Sequence, residues 1–253
     1  MATRKVIVIS DDYANWQPAP GQPGSSFWAC NQPWGKTRPM RNGIDYKQSV
    51  EIRPASWPSR AVIRWKWPSY DSPKGVWGYI PIVLGNEDGG KWKEPNSWRG
   101  VTSFKPIQLK DLQAFTVTYD VTPGSQRPAD YDILSEIWLT DAPDDKNPKI
   151  ELGVFFHAPD RDTQNARDAL VFQGPNYKAF IVNRPGGSDT PFYMVALDVE
   201  AMAMTFDWLP LIKFLISKEW LTGDEWFSGV DFGVEPFCNS GSLTINRLSY
   251  DIR

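Results

Sequence analysis

Phe232-Gly-Val-Glu235-Pro-Phe237, close to the C-terminal end of a 253-residue chain, is the stretch on which the fold turns. Val230, Phe232 and Val234 alternate with Gly229, Asp231, Gly233 and Glu235. A period of two is that of a β-strand, so the apolar set faces a core and Glu235 stands on the opposite face. Two glycines on that face leave room for something to lie against the backbone. A carboxyl in such company, with aromatics on either side, is poorly solvated, and its pKa is expected to rise until it holds a proton near neutral pH. One such group is a candidate general acid, and catalysis needs a second carboxylate in a different environment.

Two other stretches carry the same pattern. In Ile150-Glu151-Leu-Gly-Val-Phe155-Phe156, one face holds Ile150, Leu152, Val154 and Phe156. The other holds Glu151, Gly153, Phe155 and, by continued alternation, His157, expected at the strand's end near a cleft rim. In Asp132-Ile-Leu-Ser-Glu136-Ile-Trp138-Leu-Thr140, Ile133, Ile137 and Leu139 point one way while Glu136 and Trp138 point the other. A lone glutamate of this kind is ordinarily a solvated residue. Three of them among aromatics, in a chain with 13 Trp, 13 Phe and 9 Tyr, point to a carbohydrate cleft, where flat apolar rings meet sugar faces.

These residues resemble family 12 of the glycoside hydrolases, the small β-jelly-roll endoglucanases. Phe232-Gly-Val-Glu-Pro-Phe-Cys-Asn-Ser-Gly-Ser-Leu-Thr244 is similar to the family's F-G-T-E-P-F-x-G-x-G-x-L motif, and Glu151-Leu-Gly-Val-Phe to its E-L/I-M-I-W nucleophile motif. Ser135-Glu136-Ile-Trp lies where the family carries Y-D-L-F, whose acid hydrogen-bonds the nucleophile. Asn31-Gln-Pro-Trp34-Gly35 is similar to N-N-L-W-G, and Trp65-Lys-Trp67 to W-x-W. The resemblance runs from about Phe27 to the C-terminus. It implies Glu151 as nucleophile, Glu235 as acid/base and Glu136 as the residue that orients Glu151. Trp34, Trp138, Phe155, Gly153 and Phe237 are the expected substrate contacts, whereas Trp65 and Trp67 are assigned to core packing. Gly153 and Phe155 replace the family's methionine and tryptophan, Glu136 its usual aspartate, and Val234 the threonine before the acid. The first two changes are expected to widen the groove floor.

The resemblance and the alternation agree on an all-β fold: a concanavalin-like β-jelly-roll sandwich, one short helix, and an open substrate cleft on one sheet. The chain reads as one domain over residues 1–253, residues 1–26 being a partly linker-like extension. Val6 to Ile9 is too short for a signal h-region and reads as a first strand. Pro18 to Gly24 looks like a connector. Ala61 to Trp67 and Phe115 to Val121 alternate as half-buried strands, and Lys178 to Val182 with Phe192 to Val199 reads as a hairpin turning at Pro185-Gly-Gly-Ser188. Asp207 to Trp220 switches to helical spacing, with Asp207 as N-cap and Gly223 as a stop. Gly85 to Gly100, carrying Trp92 and Trp98, and the polar segment Ala158 to Gly174 are expected loops near the site.

Composition excludes other classes. A net charge of −3 and no basic run argue against a nucleic-acid surface. No apolar run approaches a membrane span. A single histidine and no G-x-S-x-G leave a hydrolase triad unsupported, and nucleotide-binding glycine motifs are missing. The Asp-rich Asp141 to Pro148 fits no EF-hand loop. No cofactor or metal is expected. Cys30 and Cys238 stand either as a disulfide or as two separate thiols.

The function expected is therefore a retaining, endo-acting β-glucan hydrolase, monomeric and extracellular, because a polymer that cannot enter a cell must be met outside it. On that view a leader is removed before the enzyme works. A non-catalytic carbohydrate-binding β-sandwich is the alternative; it would keep the aromatics without needing paired glutamates.

Overall fold

The structure, a computed structural model, describes residues 6–22, 24–36, 38–68, 75–85, 104–124, 127–143, 145, 147–159, 169–185 and 190–253. In chain order its first strands are β1 (Ile7–Ile9), β2 (Asn15–Trp16), β3 (Phe27–Cys30), β4 (Lys47–Ile52), β5 (Ala61–Trp67), β6 (Ile80–Gly85), β7 (Ile107–Gln108) and β8 (Phe115–Pro123). Then come β9 (Tyr131–Thr140), β10 (Ile150–His157), β11 (Leu170–Gln173), β12 (Lys178–Pro185), β13 (Pro191–Leu197) and β14 (Ala203–Asp207). Helix α1 (Trp208–Ser217), β15 (Trp226–Phe227), β16 (Gly229–Pro236) and β17 (Asn239–Ile252) complete the fold.

Among the described residues the strands form two sheets. The smaller runs β1-β4-β5-β17-β8-β14, and the larger β11-β12-β13-β10-β9-β16-β6-β3-β2, with β15 pairing β7 and β9 beside it. The alternation read from the sequence decides which face each residue takes. Ile63, Trp65 and Trp67 of β5 are buried while Arg64 and Lys66 are exposed. Val230, Phe232 and Val234 of β16 join Leu152, Val154, Ile133 and Ile137 in one core between the sheets. Trp65 and Trp67 belong to it as expected, and Trp67 is stacked between Tyr46 and Trp77 at centroid distances of 3.8 and 5.0 Å. Burial of each such ring contributes roughly 1.5–3 kcal/mol, so this column anchors the sandwich.

Helix α1 begins where its cap demands. The Asp207 side chain accepts a hydrogen bond from the Leu209 N–H at 3.1 Å, which satisfies one of the donors a helix start leaves unpaired. Trp208, Leu211, Ile212 and Leu215 are buried. Gly223, with φ +91°, lets the chain turn back toward β15 in a conformation that other residues resist.

Some expectations are corrected here. Val6 to Ile9, read as a first strand, is β1 paired with β4, whereas Asn15–Trp16, not read as a strand from the sequence, pairs with β3 as β2. Leu170 to Gln173, read from sequence as loop, is strand β11 against β12. One pair departs from the antiparallel scheme: β10 and β13 run parallel. Parallel neighbours need a long crossover, and here β11 and β12 lie between them in sequence. Cys30 and Cys238 carry no disulfide. Trp92 and Trp98, most of the loop after His157, and the Gly186 to Ser188 turn lie outside the described residues.

Candidate active site

The chemistry gathers on the face of the larger sheet turned away from the core, on strands β10, β9 and β16. Their register sets the neighbours. Gly153 of β10 pairs with Glu136 of β9, and on its other side Glu136 pairs with Asp231 of β16. Glu151 lies between Trp138 of β9 and Phe192 of β13. Gly233 pairs with Leu134, and Glu235 with Asp132. Side chains paired across a ladder share a face, so Glu151, Glu136 and Glu235 stand on the same side of the sheet, joined by Asp231.

Glu136 is the electrostatic centre of this group. It is buried, and that burial is the largest cause holding its carboxyl well above the ordinary carboxylate range. The charges of Glu151 and Asp231, a hydrogen bond to Glu151 and the charge of Glu235 push in the same direction. A carboxyl pushed up in this way favours its protonated form, the form that can donate the hydrogen bond shared with Glu151 and ease the like-charge conflict between adjacent acids. Glu235 is half-buried at the far end of the row. Its pairing partner Asp132 lies four residues from Glu136 along β9, a rise of about 13 Å. Its charge is nevertheless felt at Glu136.

Asp231 was not singled out from the sequence, although alternation puts it on the Glu235 face. It is 2% exposed, and its Oδ1 accepts hydrogen bonds from the Tyr79 hydroxyl at 2.7 Å and the Glu136 N–H at 2.9 Å. Tyr79 precedes β6 and carries no sequence signal of a role here. Burial, then the charges of Asp231 and Glu136, keep its phenol neutral well above its ordinary value.

The expected substrate contacts divide. Trp34 is 40% exposed, an indole open to a ligand. It is held by Gly35, whose N–H donates to the Trp77 carbonyl at 3.0 Å. Any Cβ at Gly35 would collide with the Val76 carbonyl, so the motif needs glycine there. Trp138 is half-buried beside Glu151, and Phe237 is half-buried beyond Glu235. Phe155 is a correction: at 1% exposure it is closed to a sugar, packed among Tyr79, Leu134, Val182, Met194 and Ala196. The cause is side chains from its neighbours in the sheet, Leu134 of β9, Val182 of β12 and Met194 and Ala196 of β13, together with Tyr79. Gly153 is also not open floor, because Phe192 of β13 fills the space beside it. Phe192 is half-buried next to Glu151 and was missed for lack of any local signal.

His157 is a second correction. A β-bulge between Phe155 and His157 places it opposite Ile133, on the core side, instead of continuing the Glu151 face. Its Nε2 lies 2.8 Å from the Pro128 carbonyl and its Nδ1 2.9 Å from Glu200, with the ring against Tyr131. It takes no part in the site.

Comparison with known proteins extends the resemblance from motifs to the whole fold. No sequence-family model matches the chain. Endoglucanase S of Pectobacterium parmentieri is 24% identical over 239 residues, 90% of this chain and 83% of that protein. Endoglucanase 3 of Trichoderma harzianum, from glycoside hydrolase family 12, superposes with a TM-score of 0.74 over 100% of both chains at 15% identity. A family 12 xyloglucanase of Bacillus licheniformis gives 0.73 at 18% identity, over 98% of this chain and 100% of that one. An endoglucanase of Rhodothermus marinus gives 0.72 at 12% identity, over 98% and 99%. The fold is thus the β-jelly roll of family 12 endoglucanases and xyloglucanases.

Proposed function

We propose that this protein is an endo-acting β-glucan hydrolase that cleaves internal β-1,4-glucosidic bonds with retention of configuration. The observation that carries the reading is the buried Glu136, hydrogen-bonded to Glu151 and across the ladder from Gly153, on the face that also presents Glu235. A carbohydrate-binding module gains nothing from such a group, whereas a nucleophile gains an oriented carboxylate.

In this mechanism Glu151 attacks the anomeric carbon and forms a glycosyl ester, while Glu235 protonates the departing glycosidic oxygen. Glu235, now ionised, takes a proton from water, which attacks the anomeric carbon and releases Glu151. The Glu136 hydrogen bond holds Glu151 in line before attack and steadies its charge on departure. Trp34, Trp138 and Phe192 offer rings on which sugars stack. An open face binds a chain along its length, which favours internal cutting. Plain, mixed-linkage and xyloglucan-type β-1,4-glucans are the substrate class, met outside the cell by a monomer.

The test is hydrolysis of a β-glucan panel, read as reducing ends and viscosity, with the anomer of the first product read by NMR. Glu151→Ala and Glu235→Gln should each lose about 10²-fold or more in turnover while keeping the fold. Near-normal rates in either variant would remove it from its role. A β-anomer as first product supports retention. An α-anomer would mean inversion, with the carboxyls held about 6.5–9.5 Å apart for an intervening water.

A further inference from the structure

Asp231 takes no part in the steps above, yet it is buried and held through both its side chain and its backbone. Its Oδ1 receives the Tyr79 hydroxyl at 2.7 Å and the Glu136 N–H at 2.9 Å. Its backbone carbonyl receives the Ser135 hydroxyl at 2.6 Å and the Tyr250 hydroxyl at 3.1 Å. Burying a carboxylate is costly unless hydrogen bonds offset the lost water, and here two neutral donors do so. The result is a carboxyl fixed directly across the ladder from Glu136, and its charge is among the causes that push the Glu136 carboxyl up.

We propose that Asp231 is a positioning residue for this reaction: anchored by Tyr79, it holds the Glu136 backbone N–H and so fixes the Glu136 side chain as the hydrogen-bond partner of Glu151. The inference rests on the hydrolase reading for its consequence, but not for its chemistry. Among the described residues the charged groups acting on Glu136 are acidic: Glu151 from β10, and Asp231 and Glu235 from β16. Tyr79 faces Asp231 from beside β6, and Asp132 is the further acid on the same face of β9. Phe192 and Met194 of β13, beyond Glu151 and Gly153, carry no charge. Glu151 must ionise to attack, so its own charge and that of Asp231 converge on the carboxyl between them. Asp231 supplies its share throughout the reaction. Glu151 loses its charge when the ester forms, and Asp231 then remains to hold the proton on Glu136.

The test uses the full chain labelled with ¹³C at glutamate carboxyls, the Glu136 signal being assigned by its loss in Glu136→Gln. In the wild type Glu136 should remain protonated at a pH where Glu151 has ionised. In Asp231→Asn, which keeps an oxygen acceptor for Tyr79 and for the Glu136 N–H, the Glu136 midpoint should move toward acid by about one pH unit. On a soluble β-glucan the same variant should lose about tenfold or more in kcat with KM within about twofold, and its alkaline limb should move toward acid. A folded Asp231→Asn with an unmoved Glu136 midpoint would overturn the proposal, and so would a wild type in which Glu136 ionises before Glu151. The second measurement stands even if Asp231→Asn does not fold. A protein that cuts no glucan but shows the expected titration would overturn the hydrolase reading alone.

Discussion

Gly153 faces Glu136 directly across the β10–β9 ladder, and a Cβ at position 153 would stand 3.4 Å from Glu136 Oε1, 3.3 Å from Phe155 Cε2 and 3.1 Å from Phe192 Cε2. The missing side chain has therefore not left a wider floor. Phe192, reaching in from β13, and Phe155, two residues on along β10, occupy the space that the resemblance assigned to substrate.

It follows that Gly153→Met, alone or with Phe155→Trp, overfills the face. Even the first carbon must push Phe192 aside, and the rest of the thioether has Glu136 on its other side. The cost should be about 1–3 kcal/mol, seen as a lower Tm, with a fall in turnover on every β-glucan and no shift between linear and branched ones. Adding Phe192→Val to Gly153→Met should restore much of the Tm by making room. A Gly153→Met protein as stable as the parent would show that Phe192 moves freely.

The raised Glu136 carboxyl has a stability consequence with a definite sign. The folded state holds this proton above the ordinary value of 4.5, where the unfolded chain releases it. Stability from this group is therefore lost as pH rises from about 4.5 toward the folded pKa, by at most about 1.4 kcal/mol per pH unit. Glu136→Gln should abolish that loss, so denaturation midpoints of variant and parent should diverge in the variant's favour as pH rises, even as its turnover falls. Parallel pH profiles would contradict the assignment of the proton to Glu136.

Trp34→Ala should leave Tm within about 1–2 °C, because 40% of the residue is exposed and little core is lost. Removing a stacking ring should raise KM for soluble β-glucan roughly 2- to 10-fold, about 0.5–1.4 kcal/mol, with kcat nearly kept. An unaltered KM would mean that sugars bypass this indole.

His157→Phe offers the converse pattern. The ring sits on the core side with polar contacts to the Pro128 carbonyl and Glu200, so both lose a partner when the imidazole is replaced. A stability loss of about 1–3 kcal/mol is expected, with kcat/KM within about twofold of the parent at a temperature where both are folded. A large activity loss without a stability loss would give His157 a part in the site.

What the sequence determined by itself was local and periodic. Alternation in 229–235, 150–155 and 132–140 assigned each glutamate its face, because successive side chains of a strand point to opposite sides whatever lies beside it. The Asp207 cap and helical spacing located α1, since a helix start satisfies its own donors from nearby side chains. Motif order across the chain identified the jelly roll. The tertiary structure alone decided who lies next to whom. The pairing of Asp231 with Glu136 joins residues 95 apart in sequence. Phe192 reaches Gly153 through a parallel pair that alternation cannot foresee, and the bulge that turns His157 to the core depends on how β10 fits β9. Such registers are set by hydrogen bonds and packing summed over distant segments, and no short stretch of the chain contains that information.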